Sequence, residues 1–402
     1  MNFKTILVIV FIFIENIFPQ KVNDFPSPED PLFVRVDKYN KLILGNHWNE
    51  GTIMQRVIFP HAGLDKPLIG PQADCLDPTS EMLAAYSHKY FLTKNENDRK
   101  IANQIFEGIL KLENVTGVPG LVARSFNKTD KPLWHEEVMW YHEWHWSTSL
   151  PGYRWLGDLS SDKFVSIFYG VGTYWEFCAD DNYKIKAQGL IDRFVSRVID
   201  NNFKLTDLDG KMTLWGNFCP DFPRQALNSL EMLAGLKVAY VMTKKEKFND
   251  AYKLLIEKYK YDDHQILSKI IWPEEWQNKG DDYHAARSLY MLMRYEDDPN
   301  LLIKYKMNLN RNWYSWKNYD FSFEDDIWFI MVYQILTGEN IINSKYENAI
   351  KDMQGFQRTK NTYKIPTGNN FKMVESEEEG IASAMIRNYW FGRHYGLIDA
   401  AW

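Results

Sequence analysis

The chain has 402 residues and a formal net charge of −6, with 45% hydrophobic and 25% charged residues. That composition excludes a disordered polypeptide, and the lack of any basic stripe excludes nucleic acid as a partner. Aromatics make up 15%, with 15 Trp, a surplus over what a core requires and a pointer to an aromatic-lined cleft.

Residues 1–20 place Lys4 before an apolar run from Ile6 to Ile14. The run is short for a membrane span and has the form of a secretory signal peptide. The chain is therefore expected to be secreted, with no stable membrane insertion after signal removal. Sequons at Asn114 and Asn127 agree with export. Residues 21–78 are punctuated by Pro26, Pro28, Pro31, Pro60, Pro67 and Pro71. They predict an irregular, extended segment with short strands at 32–36 and 41–44, packed on a domain that spans 79–402. Among Cys75, Cys178 and Cys219, the second and third could pair.

From Pro78 onward the apolar period is helical, as at Phe164, Ile167, Phe168, Val171 and Trp175. It predicts helices over 79–92, 97–113, 159–179, 183–201, 223–242, 245–260, 281–296, 299–316, 323–337, 341–354 and 377–391. A shorter one is expected around 263–269, and 204–215 predicts a small β-hairpin about Asp209-Gly210. Short turns join the helices in pairs, while long loops rich in Gly, Pro and aromatics join one pair to the next. The spacing lacks the strict period of an open solenoid. The fold class expected is all-α, an (α/α)6 toroid of helical hairpins one helix short of twelve. The missing helix is sought near His264, or the ring is incomplete.

In such a toroid the long loops converge on one mouth, at the starts of the inner helices. The polar residues there are Asp158, Ser160, Ser161 and Asp162; Arg224 and Asn228; Asp281, Asp282 and His284; Glu324, Asp325 and Asp326; and Glu377, Glu378 and Glu379. Any one of these acids suits a helix start as a cap, and Ser376 with Glu379 resembles a capping box. Convergence is what gives them a second meaning. Glycosidic cleavage needs a protonated acid at the leaving oxygen and a second carboxylate, and crowded acids split their pKa values in that sense. The stretch 134–162 adds Trp134, Trp140, Trp144, Trp146 and Trp155 with His135, His142 and His145. The His spacing lacks the HExxH pattern of a zinc protease, and no EF-hand or phosphate loop is present, so neither metal nor cofactor is expected.

Five segments carry a resemblance: GVPGLVAR at 117–124, YRWLGDLSSD at 153–162, ALNSLE at 226–231, GDD at 280–282 and YWFGRHYG at 389–396. Together they resemble a largely uncharacterised family of secreted proteins with a six-hairpin glycosidase-like fold. The resemblance implies a scaffold used by glycoside hydrolases and polysaccharide lyases. Leu156 and Ile167 are apolar where that family's pattern is polar.

The function expected is a secreted carbohydrate-active enzyme, a glycoside hydrolase acting on a polysaccharide or glycan. Asp158, Asp162, Asp281 and Asp282 would contain the acid/base pair, with His145 as an alternative donor. Trp144, Trp146, Trp155 and Trp215 would stack sugar rings, while Tyr153, Arg154, Arg224 and Asn228 would hold polar groups. A uronate polysaccharide lyase and a non-catalytic glycan-binding protein are the alternatives. A lyase would draw its base and its cation from His145, Tyr153, Arg154 and Arg224.

Overall fold

The computed structural model describes residues 24–59, 68–70, 75–130, 143–220, 226–318, 324–356, 358–367 and 370–402. The signal-like residues 1–20 lie outside them, as do Trp134, His135, Trp140, His142 and Arg224. The helices are α1 (Leu32–Leu42), α2 (Leu76–Thr93), α3 (Glu96–Asn114), α4 (Ser161–Phe177), α5 (Asp181–Asp200), α6 (Ala226–Thr243) and α7 (Glu246–Glu257). They continue as α8 (Tyr261–His264), α9 (Lys279–Tyr295), α10 (Pro299–Trp316), α11 (Glu324–Thr337), α12 (Ser344–Lys351) and α13 (Ser383–His394). No helix among the described residues is long and apolar enough to cross a membrane.

Helices α2, α4, α6, α9, α11 and α13 pack side by side in a closed inner ring, and the outer helices α3, α5, α7, α10 and α12 each lie on an inner partner. This is the expected (α/α)6 toroid. The inner helices need apolar residues nearly all round, because neighbours cover them on several sides. In α4 every residue from Lys163 to Tyr174 is buried. The outer helices carry one apolar stripe, such as Ala187, Leu190, Ile191, Phe194, Val195 and Val198 on α5. Contact between inner helices is close: a Cβ at Gly235 on α6 would fall 2.4 Å from the Phe164 ring on α4.

The twelfth helix is α1, not the segment near His264. Leu32, Val36, Tyr39 and Leu42 form a helical stripe that is buried, and α1 packs on α13. Residues 32–36 and 41–44 are therefore helical, where strands were expected. The alternating Phe-Val-Arg-Val suggested a strand, but Arg35 is buried and its guanidinium donates to the Lys351 and Met353 carbonyls at the end of α12. That use of Arg35 is invisible without the partner helix. The backbone N–H of Phe33 also donates to the Trp402 carbonyl at 3.3 Å, tying α1 to the segment after α13.

Three of the short turns within pairs share a device. Lys94, Lys244 and Gly338 each take a left-handed φ, of 52°, 56° and 72°. The Thr before each accepts a hydrogen bond from the N–H two residues on, at 3.2, 3.3 and 3.2 Å from Asn95, Lys245 and Glu339. Asn95, Asp180, Asp298 and Asn343 then cap the outer helices that follow.

The strands occupy the connections between pairs. They are β1 (Trp48–Asn49), β2 (Thr52–Ile53), β3 (Arg56–Phe59), β4 (Leu68–Gly70), β5 (Ser125–Lys128), β6 (Trp144–Trp146), β7 (Tyr153–Leu156), β8 (Lys204–Thr206), β9 (Met212–Asn217), β10 (Arg358–Thr367) and β11 (Asn370–Gly380). They form antiparallel sheets ordered β1-β2, β10-β11-β3-β4, β5-β7-β6 and β8-β9. The hairpin expected at 204–215 is β8-β9. The helix expected over 377–391 begins only at Ser383. Residues Glu377, Glu378 and Glu379 lie in β11, opposite Phe59, Ile58 and Val57 of β3. A run of three acids read as a helix start, but Glu379 is buried, with Arg358 Nη2 at 2.9 Å and Asn46 Nδ2 at 3.0 Å supplying its partners. Ser376 is likewise a strand residue and not part of a capping box. The three cysteines are buried and form no disulfide, so the bridge expected between Cys178 and Cys219 is not made. Asn114 is exposed while Asn127 is 3% exposed within β5, so the folded chain offers only the first sequon to solvent.

Candidate active site

A chain of salt-bridged acidic and basic side chains threads the middle of the inner ring. Lys163 on α4, only 1% exposed, donates to Asp162 at 2.7 Å and to Asp77 on α2. Ser166 and Arg287 of α9 also donate to Asp77, and Arg287 reaches Glu81 at 2.5 Å. Arg387 and Ser383 of α13 complete the partners of Glu81. Buried charges survive only when paired this way, and the pairs fix α2, α4, α9 and α13 against one another.

At the mouth end of this chain of ion pairs lies a cavity of about 670 Å³. The starts of α4, α6 and α9, hairpin β8-β9 and the loop before α9 enclose it. Its wall includes Arg124, Ser161, Asp162, Trp215, Asn228, Leu267, Ile270, Asn278, Asp281 and His284. Four sequence candidates thus share one space: Asp162, Asp281, Trp215 and Asn228.

The two aspartates sit in opposed electrostatic settings. Burial works to raise the pKa of Asp162, but the adjacent Lys163 ammonium, the His284 imidazole in its protonated form and the Ser160 hydroxyl outweigh it and hold the group below the ordinary carboxylate range. Burial, joined by the neighbouring Asp282 carboxylate, pushes Asp281 up to about 6 against the pull of Lys269. His284, one helical turn beyond Asp281, is pushed down to about 4 by burial and is neutral at neutral pH. Its Nδ1 is buried with no hydrogen-bond partner among the described residues.

Beneath the cavity, Glu231 of α6 is 0% exposed, and neither carboxyl oxygen has a hydrogen-bond partner among the described residues. Burial, then the fields of Asp162 and Asp281, push its pKa well above the ordinary value, with the nearby Ser161 hydroxyl as a weak opposing influence. Glu231→Gln is expected to raise the melting temperature at pH 7 and above. The sign follows from linkage: a carboxyl whose folded pKa is raised imposes no penalty below its unfolded pKa, and the penalty grows as pH rises toward the folded value. The gain should therefore vanish near pH 4; an equal gain at both pH values in thermal melts would contradict a protonated Glu231.

Several expected site residues do other work. Asp158 takes a left-handed φ of 59°. Its N–H donates to Asp207 at 2.6 Å and its Oδ1 accepts from the Leu214 N–H at 2.8 Å, so it fastens hairpin β8-β9 to the start of α4. Asp282 is 1% exposed and accepts from Lys269 at 2.6 Å, which anchors the loop before α9. Consecutive helical residues point about 100° apart, so Asp281 faces the cavity while Asp282 faces the core. The sheet β5-β7-β6 holds His145, Trp144, Tyr153, Arg154 and Trp155, and none of these lines the cavity. His145 packs on the Trp155 ring at 4.4 Å between centroids, with Nε2 3.9 Å from Asp207. Trp155 is 1% exposed and so presents no face to a ligand. The Tyr153 hydroxyl donates to Glu50 at 2.9 Å, and Arg154 lies over the Trp144 ring at 5.7 Å. Trp146 is exposed. The side chains of Glu324, Asp325 and Asp326 lie outside the described part, as does Arg224.

Sequence reasoning missed Arg124 and Glu231 and assigned no role to His284. Arg124 Nη1 donates to the Asp158 carbonyl at 2.6 Å and to Ser160 at 3.0 Å, setting the entry to α4. The signal for Glu231 was an acid standing alone in an apolar helical run, three residues after Asn228. Leu156 and Ile167, apolar where the resembling family is polar, are core residues outside the cavity wall. Among the described residues, no three His, Cys, Asp or Glu side chains are grouped to hold a metal ion.

No protein-family model and no curated protein sequence matches the chain. Solved structures do match. An alpha-mannanase of glycoside hydrolase family 76 from Bacteroides thetaiotaomicron superposes with a TM-score of 0.52 at 12% identity, over 92% of this chain and 99% of that one. A family 76 glycoside hydrolase (mannosidase) from the same organism gives 0.50 at 12% identity, over 90% and 97%. At this identity the likeness concerns the fold alone: the chain has an (α/α)6-barrel fold.

Proposed function

We propose that the protein is a secreted glycoside hydrolase that cleaves a glycan in the cavity at the starts of α4, α6 and α9. The observation that carries this reading is one cavity lined by two aspartates, one driven up to about 6 and the other held ionised. Environments that push two carboxyl groups apart assign an acid and an anion.

Asp281 is the general acid: at mildly acidic pH it holds a proton that it delivers to the glycosidic oxygen as the C–O bond breaks. Asp162, ionised beside Lys163, faces the positive charge that develops on the sugar ring and acts as base or nucleophile. Asn228, held by its Nδ2 bond to the Asn217 carbonyl at 2.7 Å, offers an amide oxygen to a sugar hydroxyl. Trp215, 62% exposed, offers a ring face to a pyranose. An anionic sugar is disfavoured, because the ionised Asp162 would repel its carboxylate and Arg124 already donates to two oxygens.

Purified protein incubated with a panel of neutral and uronate polysaccharides, α-mannans among them, is expected to release new reducing ends from a neutral glycan. No ultraviolet-absorbing unsaturated product should form. Such a product would show a lyase, and glycan affinity with neither product would show a binding protein. The pH profile follows from Asp281. Because the acid must be protonated, kcat/KM is expected to fall as pH rises through about 6. Asp162 stays ionised below the ordinary carboxylate range, so the acidic limb should lie well below pH 4. A profile flat from pH 5 to 8 would remove Asp281 from this role.

A further inference from the structure

Four tryptophans among the described residues are exposed: Trp146, Trp215, Trp272 and Trp276, at 71%, 62%, 85% and 66%. Tryptophan is mostly buried in folded chains, so exposed ones call for a reason. All four stand on connections between helical pairs: Trp146 on β6, Trp215 on β9, and Trp272 and Trp276 on the loop 268–278 before α9. The outer helices expose Phe33, Ile185, Leu254 and Ile303 but no tryptophan. A packing habit would scatter them over the whole surface.

The loop 268–278 belongs to the cavity at both ends. Leu267, Ser268 and Ile270 enter the wall on one side, and Asn278 and Gly280 on the other. Its middle is firmly held. Lys269 is pinned to Asp282 at 2.6 Å with both side chains 2% exposed, Gln277 Nε2 donates to the Ile271 carbonyl at 3.0 Å, and the Trp276 N–H donates to the Pro273 carbonyl at 3.1 Å. Two indole rings are therefore carried outward from the cavity rim on a fixed frame. Rigid exposed aromatic faces suit flat apolar surfaces, and the C–H face of a pyranose ring is such a surface.

We infer that Trp272 and Trp276 form an outer glycan-binding platform continuous with the cavity, which holds sugar rings beyond those at Asp162 and Asp281. A cavity of about 670 Å³ accommodates a ligand of drug-like size, about a few sugar rings. A longer chain must leave it over the rim, and this loop is part of that rim. The substrate class is then a polysaccharide, engaged internally, rather than a disaccharide or a terminal residue. This rests on the hydrolase reading above.

The test uses the full mature chain with Trp272→Ala and Trp276→Ala combined, against an oligosaccharide series of one linkage and the parent polysaccharide. Both side chains are exposed, so circular dichroism and melting temperature should be unchanged. The variant is expected to lose about ten- to a hundred-fold in kcat/KM on the longest substrates, the scale of two stacking contacts of about 1 kcal/mol each. On the shortest cleavable oligosaccharide it should lose less than about two-fold, and affinity electrophoresis in polysaccharide gels should show the same loss of retardation. The paired Trp→Tyr variant should recover most of the length dependence. Equal losses on short and long substrates, or unchanged affinity for the polymer, would overturn the platform while leaving the hydrolase reading intact. Partition of the wild-type protein, and not the variant, onto phosphatidylcholine–phosphatidylserine vesicles with a blue-shifted tryptophan emission would overturn it in favour of a lipid surface. A wild-type protein that neither cleaves nor binds any glycan overturns both readings.

Discussion

Asp281→Asn is expected to lower kcat by about 10²- to 10⁴-fold with the fold unchanged, the scale of a lost general acid. The amide keeps the size of the side chain and its place near Asn278, whose Nδ2 lies 3.1 Å from Asp281 Oδ1, but it has no proton to deliver to a leaving oxygen. The alkaline limb near pH 6 should disappear with the group that titrates there. Substrates with a leaving group that needs no protonation should recover most of the rate. Asp162→Asn should cost a similar factor, without that rescue, because it removes the anion facing the developing positive charge. Two other variants separate chemistry from scaffolding. Asp158→Asn should loosen hairpin β8-β9, and Asp282→Asn should destabilise by leaving Lys269 buried without its anion. Asp158→Asn should retain turnover measured well below its melting temperature, whereas Asp282→Asn should retain it at acidic pH but shift the alkaline limb downward, because the Asp282 carboxylate helps to raise Asp281. A rate loss for either that matches Asp281→Asn at full folding would redraw the site.

Lys163→Met is the second large effect and acts on both stability and chemistry. Lys163 is the cation between Asp162 and Asp77, and its removal leaves two carboxylates facing an apolar side chain. Breaking a buried pair from one side costs about 3–5 kcal/mol, read as a shift in the urea midpoint. The pH dependence has a definite sign. Asp162 has a depressed folded pKa, so it contributes stability above its ordinary value of 3.8, and that contribution fades as pH falls toward the folded value. The gap between wild type and Lys163→Met should therefore be widest above about pH 4 and narrow below it. In the variant that remains folded, Asp162 should titrate at higher pH and the acidic limb of the rate profile should move upward. A uniform stability loss at all pH values, with an unmoved acidic limb, would mean that Lys163 only fills space.

The helical pairs were readable because their boundaries are local. Pro299 after Asp298, or a Thr followed by a left-handed residue, stops or starts a helix through bonds within a few residues. The expected 299–316 is found as Pro299–Trp316, and the expected 97–113 as Glu96–Asn114. The long hairpin β10-β11 was not readable. Its acids make sense only against Arg358, Asn46 and His47, and two of those three come from the far end of the chain.

The same division runs through the site. Local composition was enough to bring acids to the starts of the inner helices, and topology was enough to bring those starts to one mouth. It could not say which acid of a neighbouring pair points inward. Asp281 and Asp282 differ by one residue, and the difference between a cavity group and a buried anchor is made by Lys269. Asp158 lies just before α4 and Asp162 in its first turn, and the difference is made by the Leu214 N–H for one and by Lys163 for the other. The sequence alone determined a ring of helical hairpins with an acidic, aromatic mouth, because periodicity and turn chemistry act over a few residues. Which carboxylates are free for chemistry was decided only by the tertiary structure, because the charge state of a buried group depends on neighbours that the chain brings in from other helices.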